Sequence, residues 1–405
     1  MNADFSRYLH SRVLSGIGAV VAVVALPVLV YQLTGSAGWT SAVTAAEALP
    51  YLVFGLPAGA LADRLDRRKM MVTSELTVAV VLLSVPLAWL ADVLTAPHVV
   101  AAGFATQTAF VFFSAANFGA LPALVGKEKL TAAYSTLFGR TTAVELVVPG
   151  LTGLLVAVVS PAALLAVNAL TGVGAVMLLR GITSSMATPR RVEGAGQLVA
   201  DVREGLRFMW REPVIRLLTL VGATHSVASG AWMAVLVPFA DQVLGVAPKG
   251  DVRLSALFTC WGLGAIIASR LLPKISERWG NARVALAALP LSLLGGVFVL
   301  LSPHWLVLCV TATAWGVTGA IVVINGITYR QQVCPDELQS RVNTTARMIA
   351  WGLGQPLGAA LAGVVSVASG DPRAGLAAGL AVFLAGVVWA WASPVLRGQK
   401  YRNHT

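Results

Sequence analysis

Predominantly apolar stretches follow one another from near Leu9 to Leu396, separated by short polar breaks. A helix needs about 20 such residues to cross a bilayer, and the period-two alternation of a membrane β-barrel strand is missing from these stretches. The pattern predicts twelve transmembrane helices, over 9–33, 40–63, 70–91, 97–122, 131–158, 161–180, 214–241, 252–274, 282–301, 304–330, 341–368 and 374–395. Only about eight polar-flanked residues precede the first apolar run, and no small-residue cleavage site occurs before Thr34, so this run reads as a retained span and not a signal peptide.

The longest polar interruption, 181–213, contains Pro189-Arg190-Arg191 and divides the spans six and six. It predicts an N-terminal bundle over 1–180, a linker over 181–213 and a C-terminal bundle over 214–405. Within the linker, Leu198, Val202, Leu206 and Met209 recur at helical spacing opposite Asp201, Arg203, Glu204, Arg207 and Arg211. Such a helix lies on the inner leaflet or, as the alternative, docks a partner. The halves echo each other. An offset of 214 places Asp63-Arg64 on Glu277-Arg278 and Lys69 on Arg283, while an offset of 208 places Asn117 on Asn325, Val125 on Val333, Glu128 on Asp336 and Leu130 on Leu338. Two related six-helix halves are what a transporter with its site at a repeat interface requires.

Composition narrows the class. Hydrophobic residues make up 57% of the 405 and charged residues 12%, and mean hydropathy is +0.78, far too apolar for a soluble globule. The net charge of +11 would suit nucleic acid, but its distribution argues for topology instead. With the 59–69 loop cytoplasmic, 26 of the 29 basic residues fall on that side and only Lys249, Arg253 and Arg373 fall on the other. The positive-inside rule then places both termini in the cytoplasm. Cys260, Cys309 and Cys334 are widely spaced, without a metal-ligand pattern, and read as small core residues. No His/Glu cluster, Gly-x-Ser-x-Gly elbow or phosphate loop occurs, so an enzyme, a metal or other cofactor, and ATP drive all lack residues.

Between the second and third spans the chain reads Gly59-Ala-Leu-Ala-Asp63-Arg64-Leu-Asp66-Arg67-Arg68-Lys69. This resembles the signature loop of the major facilitator superfamily of secondary transporters. Gly59 would permit close helix approach, Asp63 would cap a neighbouring helix or pair with an arginine, and Arg64, Arg67, Arg68 and Lys69 would hold the loop at the headgroups. Ser114-Ala-Ala-Asn117-Phe-Gly-Ala-Leu-Pro122 and the residues through Leu130, with Ser340-Arg341-Val-Asn343-Thr-Thr-Ala-Arg347 and Gly354-Gln-Pro356-Leu-Gly358, are similar to its bacterial drug, macrolide and siderophore exporters. The resemblance implies an all-α membrane protein of two pseudo-symmetric six-helix bundles in the bacterial cytoplasmic membrane. It also implies proton-driven antiport of a small amphipathic molecule through a cavity lined by helices 1, 4, 7 and 10. Two departures stand out. The fifth helix keeps Pro149 and Gly153 of a Gly-x-x-x-Gly-Pro-x-x-Gly-Gly pattern but carries Val144-Glu145 and Val148, and helix four has no arginine within 97–122.

Acids inside the bilayer cost roughly 2.5–3.5 kcal/mol on insertion scales and call for a functional hypothesis. Glu145, near the middle of helix five, precedes Pro149, Thr152 and Gly153 by four, seven and eight residues, which places it on the small-residue face. It is a candidate for proton coupling or for holding a cationic substrate, or else a structural partner of Arg140 or another basic group. Glu47 lies about seven residues, roughly 10 Å, from the outer end of helix two. It either takes protons or reaches the outer headgroups. Glu75 is expected to pair with the signature-loop arginines. Gln107, Asn117, His225, Trp232 and Asn325 are substrate-cavity candidates, each with interhelical hydrogen bonding or packing as its alternative. Arg347, Trp351, Gly354 and Gly358 form a stripe that reads mainly as packing. The expected function is export of an amphipathic drug-like or secondary-metabolite compound, with small molecule, protons and lipids as partners and a monomer as the working unit. The alternative is a metabolite or lysophospholipid transporter of the same fold without antiport.

Overall fold

A computed structural model describes residues 3–184, 186, 195–335, 338, 342 and 345–393. The described residues are almost entirely helical, without a strand. The helices are α1 (Ala3–Thr34), α2 (Ala37–Arg64), α3 (Arg67–Leu90), α4 (Ala96–Val158), α5 (Pro161–Arg180), α6 (Ala195–Arg211), α7 (Pro213–Leu244), α8 (Arg253–Trp279), α9 (Asn281–Leu300), α10 (Trp305–Val333), α11 (Thr345–Ser369) and α12 (Pro372–Ala392). Among the described residues, eleven stretches are long and apolar enough to cross a bilayer, counting α4 as two arms, α4a (Ala96–Asn117) and α4b (Thr136–Val158). The 28-residue α2 packs among them as the twelfth.

Local chemistry sets the turns. Ser36, Asp66, Ser160 and Asp371 accept from backbone amides at the starts of α2, α3, α5 and α12, and Pro161 and Pro372 occupy the first helical position where no amide is needed. Gly245 ends α7 at φ 62°, a left-handed position that glycine takes without a Cβ penalty. Direction alternates from span to span. The chain start, Leu65-Asp66 and Gly280 therefore share one end, here the basic end, while Gly35-Ser36, 245–252 and 301–304 share the far end.

Helix α4 departs from the expected pair of spans joined by a loop, because its backbone is helical throughout 96–158. The connecting residues include Ala, Leu, Lys and Glu, which favour helix. A straight helix of 63 residues would run about 95 Å. This one folds back: Gly103 packs at the level of Leu26 and Val43, Asn117 meets Tyr8 near the start of α1, and Val144 returns to Gly16. A second departure is π-helical winding over Met348–Gly354 in α11, which hydrophobic periodicity does not encode.

Helices α1 to α5 pack together, as do α7 to α12. Apolar lipid gives helices no hydrophobic reason to associate, so close contact and polar bonds do the joining. The Asn168 side chain donates to the Gly18 carbonyl at 2.5 Å, tying α5 to α1. The second group is rich in rings: Trp315 lies edge-on to Trp261 with centroids 4.8 Å apart, and Trp232 stands 5.9 Å from Phe239. On α6 the apolar side divides. Met209 is buried with Ile215, Cys334, Val342 and Ala346, whereas Leu206 stays exposed beside Trp210.

Candidate functional site

Two seams join the groups of helices. Along the first, α2 against α11, Gly38 lies beside Val367, Gly363 beside Ser41, and Gly352 beside the Leu52 backbone. The Arg347 guanidinium then sits 5.9 Å from the Tyr51 ring and 5.6 Å from the Trp351 ring. Along the second, α4b against α8, Gly153 rests on the Ser255 backbone and Gly150 on Thr259. Toward the basic end these close contacts stop: no described atom lies within 4 Å of a Cβ built on Gly139 of α4b or on Gly262 of α8, and Phe138 and Ile267 are exposed there. Beside the Gly150–Thr259 contact lies a crevice of about 420 Å³ lined by Val147, Gly150, Leu154, Thr259, Cys260 and Leu263. At the far end the Tyr31 hydroxyl donates to Asp241 at 2.8 Å, Gln242 donates to Tyr31 at 3.1 Å, and Gln32 donates to the Pro248 carbonyl at 2.7 Å. The far end is closed by bonds between α1 and the α7–α8 region.

The candidate acids fall in different places. Glu145 is exposed on α4b and makes no ion pair with Arg140 among the described residues. Its helix face continues through Pro149 to the buried Thr152 and to Gly153, the residues nearest the seam contact. The same face is therefore sealed near the far end and open at Glu145. Glu47 points the other way, into the first group of helices, where its Cγ would lie 3.4 Å from a Cβ at Gly103, with Leu26 and Val43 alongside. It has no hydrogen-bond partner among the described residues. Glu75 is buried on α3 and, contrary to expectation, accepts from Ser15 at 2.5 Å, next to Gly172 and within the field of Arg12, not of the loop arginines. Ser15 and Glu75 face each other across α1 and α3, whereas the loop arginines turn toward the chain that follows α5.

Four of the five polar and aromatic cavity candidates are packed inside their own groups of helices. Asn117 accepts from the Tyr8 hydroxyl at 2.5 Å. Asn325 is fully buried, accepting from Ser276 at 2.8 Å and donating to the Ile321 carbonyl at 2.9 Å. Trp232 is in the ring cluster, and His225 stands edge-on to Phe383 with its Nε2 buried and unpartnered beside Gly319. Gln107 is half-buried on α4a, in the helix whose Phe104 and Phe112 flank Phe54 at 6.3 and 6.1 Å.

The signature loop grips a different partner from the one its sequence suggests. Arg68 donates to the Ile182 carbonyl at 2.5 Å and the buried Arg67 to the Met186 carbonyl at 3.4 Å. Asp66 caps α3, Arg64 and Lys69 are exposed, and the Asp63 side chain lies outside the described part of the structure. No described atom lies within 4 Å of a Cβ built on Gly59, so no described helix packs closely against it there.

Residues the sequence did not single out complete this grip. Asp4 accepts at one oxygen from the Thr183 amide and hydroxyl (3.2 and 3.0 Å) and the Ser184 amide and hydroxyl (2.8 and 2.6 Å), and at the other from Arg7 at 3.1 Å. Arg7 also donates to the Gly181 carbonyl at 2.6 Å. Arg12 lies 4.7 Å over the Phe113 ring of α4a with two guanidinium nitrogens buried and unpartnered. It thus brings a cation against the helix that lacks an arginine of its own. An Asp and Arg three apart at a chain start are too common a pattern to have flagged the first cluster, and Arg12 became distinctive only once α1 met α4a.

Comparison with known proteins places these features. The profile of a family described as transmembrane secretion effector matches residues 3–400. The chain is 30% identical over 412 residues to the multidrug efflux pump Tap of Mycolicibacterium fortuitum, covering 94% of this chain and 93% of the relative. Among solved structures, the nucleoside transporter NupG superposes with a TM-score of 0.77 at 14% identity, covering 99% of this chain and all of that one. A bacterial homologue of the iron transporter ferroportin in an inward-facing state gives a TM-score of 0.74 at 16% identity over 96% of this chain and 99% of that one. At these identities the structural likenesses speak for the fold.

Proposed function

The chain belongs to the transmembrane secretion effector family of major facilitator transporters, and from that membership we propose that it exports amphipathic drug-like compounds in exchange for protons by alternating access. The full-length likeness to a multidrug efflux pump supports the substrate class. The observation that carries the mechanism is the face of α4b, sealed at Thr152 and Gly153 and open at Glu145. A carboxyl there changes its surroundings whenever the second seam closes or opens, which is what coupling a proton to the rocking of two halves demands. With the basic end at the cytoplasm, as the distribution of Lys and Arg favours, the conformation described is inward-facing and both termini are cytoplasmic. Substrate then enters between α4b and α8, and Glu145 releases its proton to the cytoplasm. Glu47, unpartnered between α1, α2 and α4a, is the second acid on this route.

Everted membrane vesicles energised with a proton gradient and loaded with a pH-sensitive dye test this reading. Adding macrolide, cationic and siderophore-like compounds should relieve dye quenching in wild type. Glu145→Gln at matched expression should abolish the response, and Glu47→Gln should reduce it. A response that survives Glu145→Gln unchanged removes that residue from coupling. Transport of labelled lysophospholipid without a pH response would establish the alternative without antiport.

A further inference from the structure

Helices α8 and α10 approach backbone to backbone. Gly264 faces the Thr313 carbonyl and the Val317 amide, where a Cβ would lie 2.6 Å from the Val317 nitrogen, and Gly316 faces the Trp261 carbonyl in return. Helix axes normally pass 8–10 Å apart, and only residues without a side chain allow a contact this close. One turn toward the far end from Gly264 is Cys260, and one turn toward the far end from Thr313 is Cys309. The Thr313 hydroxyl donates to the Cys260 carbonyl at 3.1 Å and to the Cys309 carbonyl at 2.8 Å, so the two cysteines flank one hydroxyl where the helices meet. Both cysteines are free. Cys260 also lines the crevice between α4b and α8, and Cys309 is partly exposed, so small reagents can reach the pair. The third cysteine, Cys334, is buried at the basic end with Met209 and Ile215 and cannot join them.

We propose that Cys260 and Cys309 are a reversible dithiol–disulfide pair that staples α8 to α10 beside the second seam under oxidising conditions. A disulfide requires Cα atoms about 4.4–6.8 Å apart, a separation that side-by-side helices reach only at a contact of this kind. Lying two turns or less from the helix starts at Arg253 and Trp305, the pair faces the far end, away from the reducing cytoplasm in the orientation adopted above. With the azo oxidant diamide the step balances. The Cys309 thiol adds across the N=N bond, the Cys260 sulfur displaces the hydrazine from that adduct, and the S–S bond forms as both protons and both electrons pass to the hydrazine.

The purified full chain in detergent is treated with diamide, unfolded, alkylated with a maleimide and weighed intact. Reduced protein should take up three alkyl groups and oxidised protein one, on Cys334, with a 260–309 cross-linked peptide, a monomeric band on a non-reducing gel, and recovery of all three sites with dithiothreitol. Cys334→Ser, which leaves the pair intact, should go from two sites to none and guards against misfolding of a Cys260→Ser control. Retention of all three sites after diamide, or cross-links found only between molecules, overturns the proposal.

Discussion

The two seams between the helix groups are closed by the same kind of contact and end differently. The α2–α11 seam runs from Gly38 against Val367 to Gly352 against Leu52 and is continued by the Arg347 guanidinium over Tyr51. Among the described residues, the α4b–α8 seam has glycine contacts at Gly153 and Gly150 and none at Gly139 or Gly262 toward the basic end. Both rely on small residues because, in lipid, attraction between helices depends on how closely backbones approach. The difference teaches that the opening is asymmetric. Under the alternating access proposed above, the first seam is the axis about which the second opens, and the acid on the second seam experiences the change.

The sharpest way to break this contrast is Gly153→Leu, because the new side chain would occupy the Ser255 backbone, which cannot give way. Overpacking costs about 1–3 kcal/mol, so transport should fall tenfold or more, and the maleimide labelling rate of reduced Cys260 should rise as the crevice widens. Gly363→Leu tests the other seam. Its Cβ meets the Ser41 side chain first, at 2.6 Å, with the Gly38 backbone farther off at 3.9 Å, and neighbouring contacts share the load, so a loss of transport of about threefold is expected with little change in Cys260 labelling. Tyr31→Phe removes the far-end bonds to Asp241 and Gln242. A hydrogen bond to a charged group is worth about 1.5–3 kcal/mol; at this partly exposed site the lower end applies, and amide exchange over 242–246 should quicken roughly tenfold. Asp4→Asn leaves both seams alone but weakens the grip on the chain after α5, so the amides of Thr183 and Ser184 should exchange faster while Cys260 labelling stays unchanged.

The smallest effect is expected in the far-end loop. Arg253 donates to Asp251 at 2.5 and 2.9 Å and holds its carboxyl below the usual carboxylate range. The native form thus favours the ionised acid. This contribution is complete above the ordinary pKa of 3.8 and is lost as the pH falls through the lower native value. A melting-temperature series in detergent from pH 6 downward should show Asp251→Asn flattening a minor part of the acid-induced fall, since exposed pairs count for little.

Much of the fold was legible because a bilayer leaves few choices. Runs of apolar residues had to be helices, and the signature loop pointed to the family that the profile and the relatives establish. The candidate site was legible only in part. The spacing of Glu145, Pro149, Thr152 and Gly153 placed the acid on a small-residue face, but Asn117 and Asn325, polar residues in helices of the expected cavity, are committed to Tyr8 and Ser276. Periodicity says which residues share a face, not which helix that face meets. Neither the turn of Arg67 and Arg68 toward 182–186, nor Arg12 over Phe113, nor the gathering of Cys260 and Cys309 around the Thr313 hydroxyl could be read along the chain.

The sequence by itself determined that this is a helical membrane protein of major facilitator type, because chain-local quantities suffice for that: apolar run length, charge between runs, and one contiguous motif. Only the tertiary structure decided which glycines seal the seams, where they part, and which acids and thiols end beside an opening. Those depend on contacts between residues more than a hundred positions apart, such as Gly153 with Ser255 and Ser41 with Gly363, and no local pattern carries them.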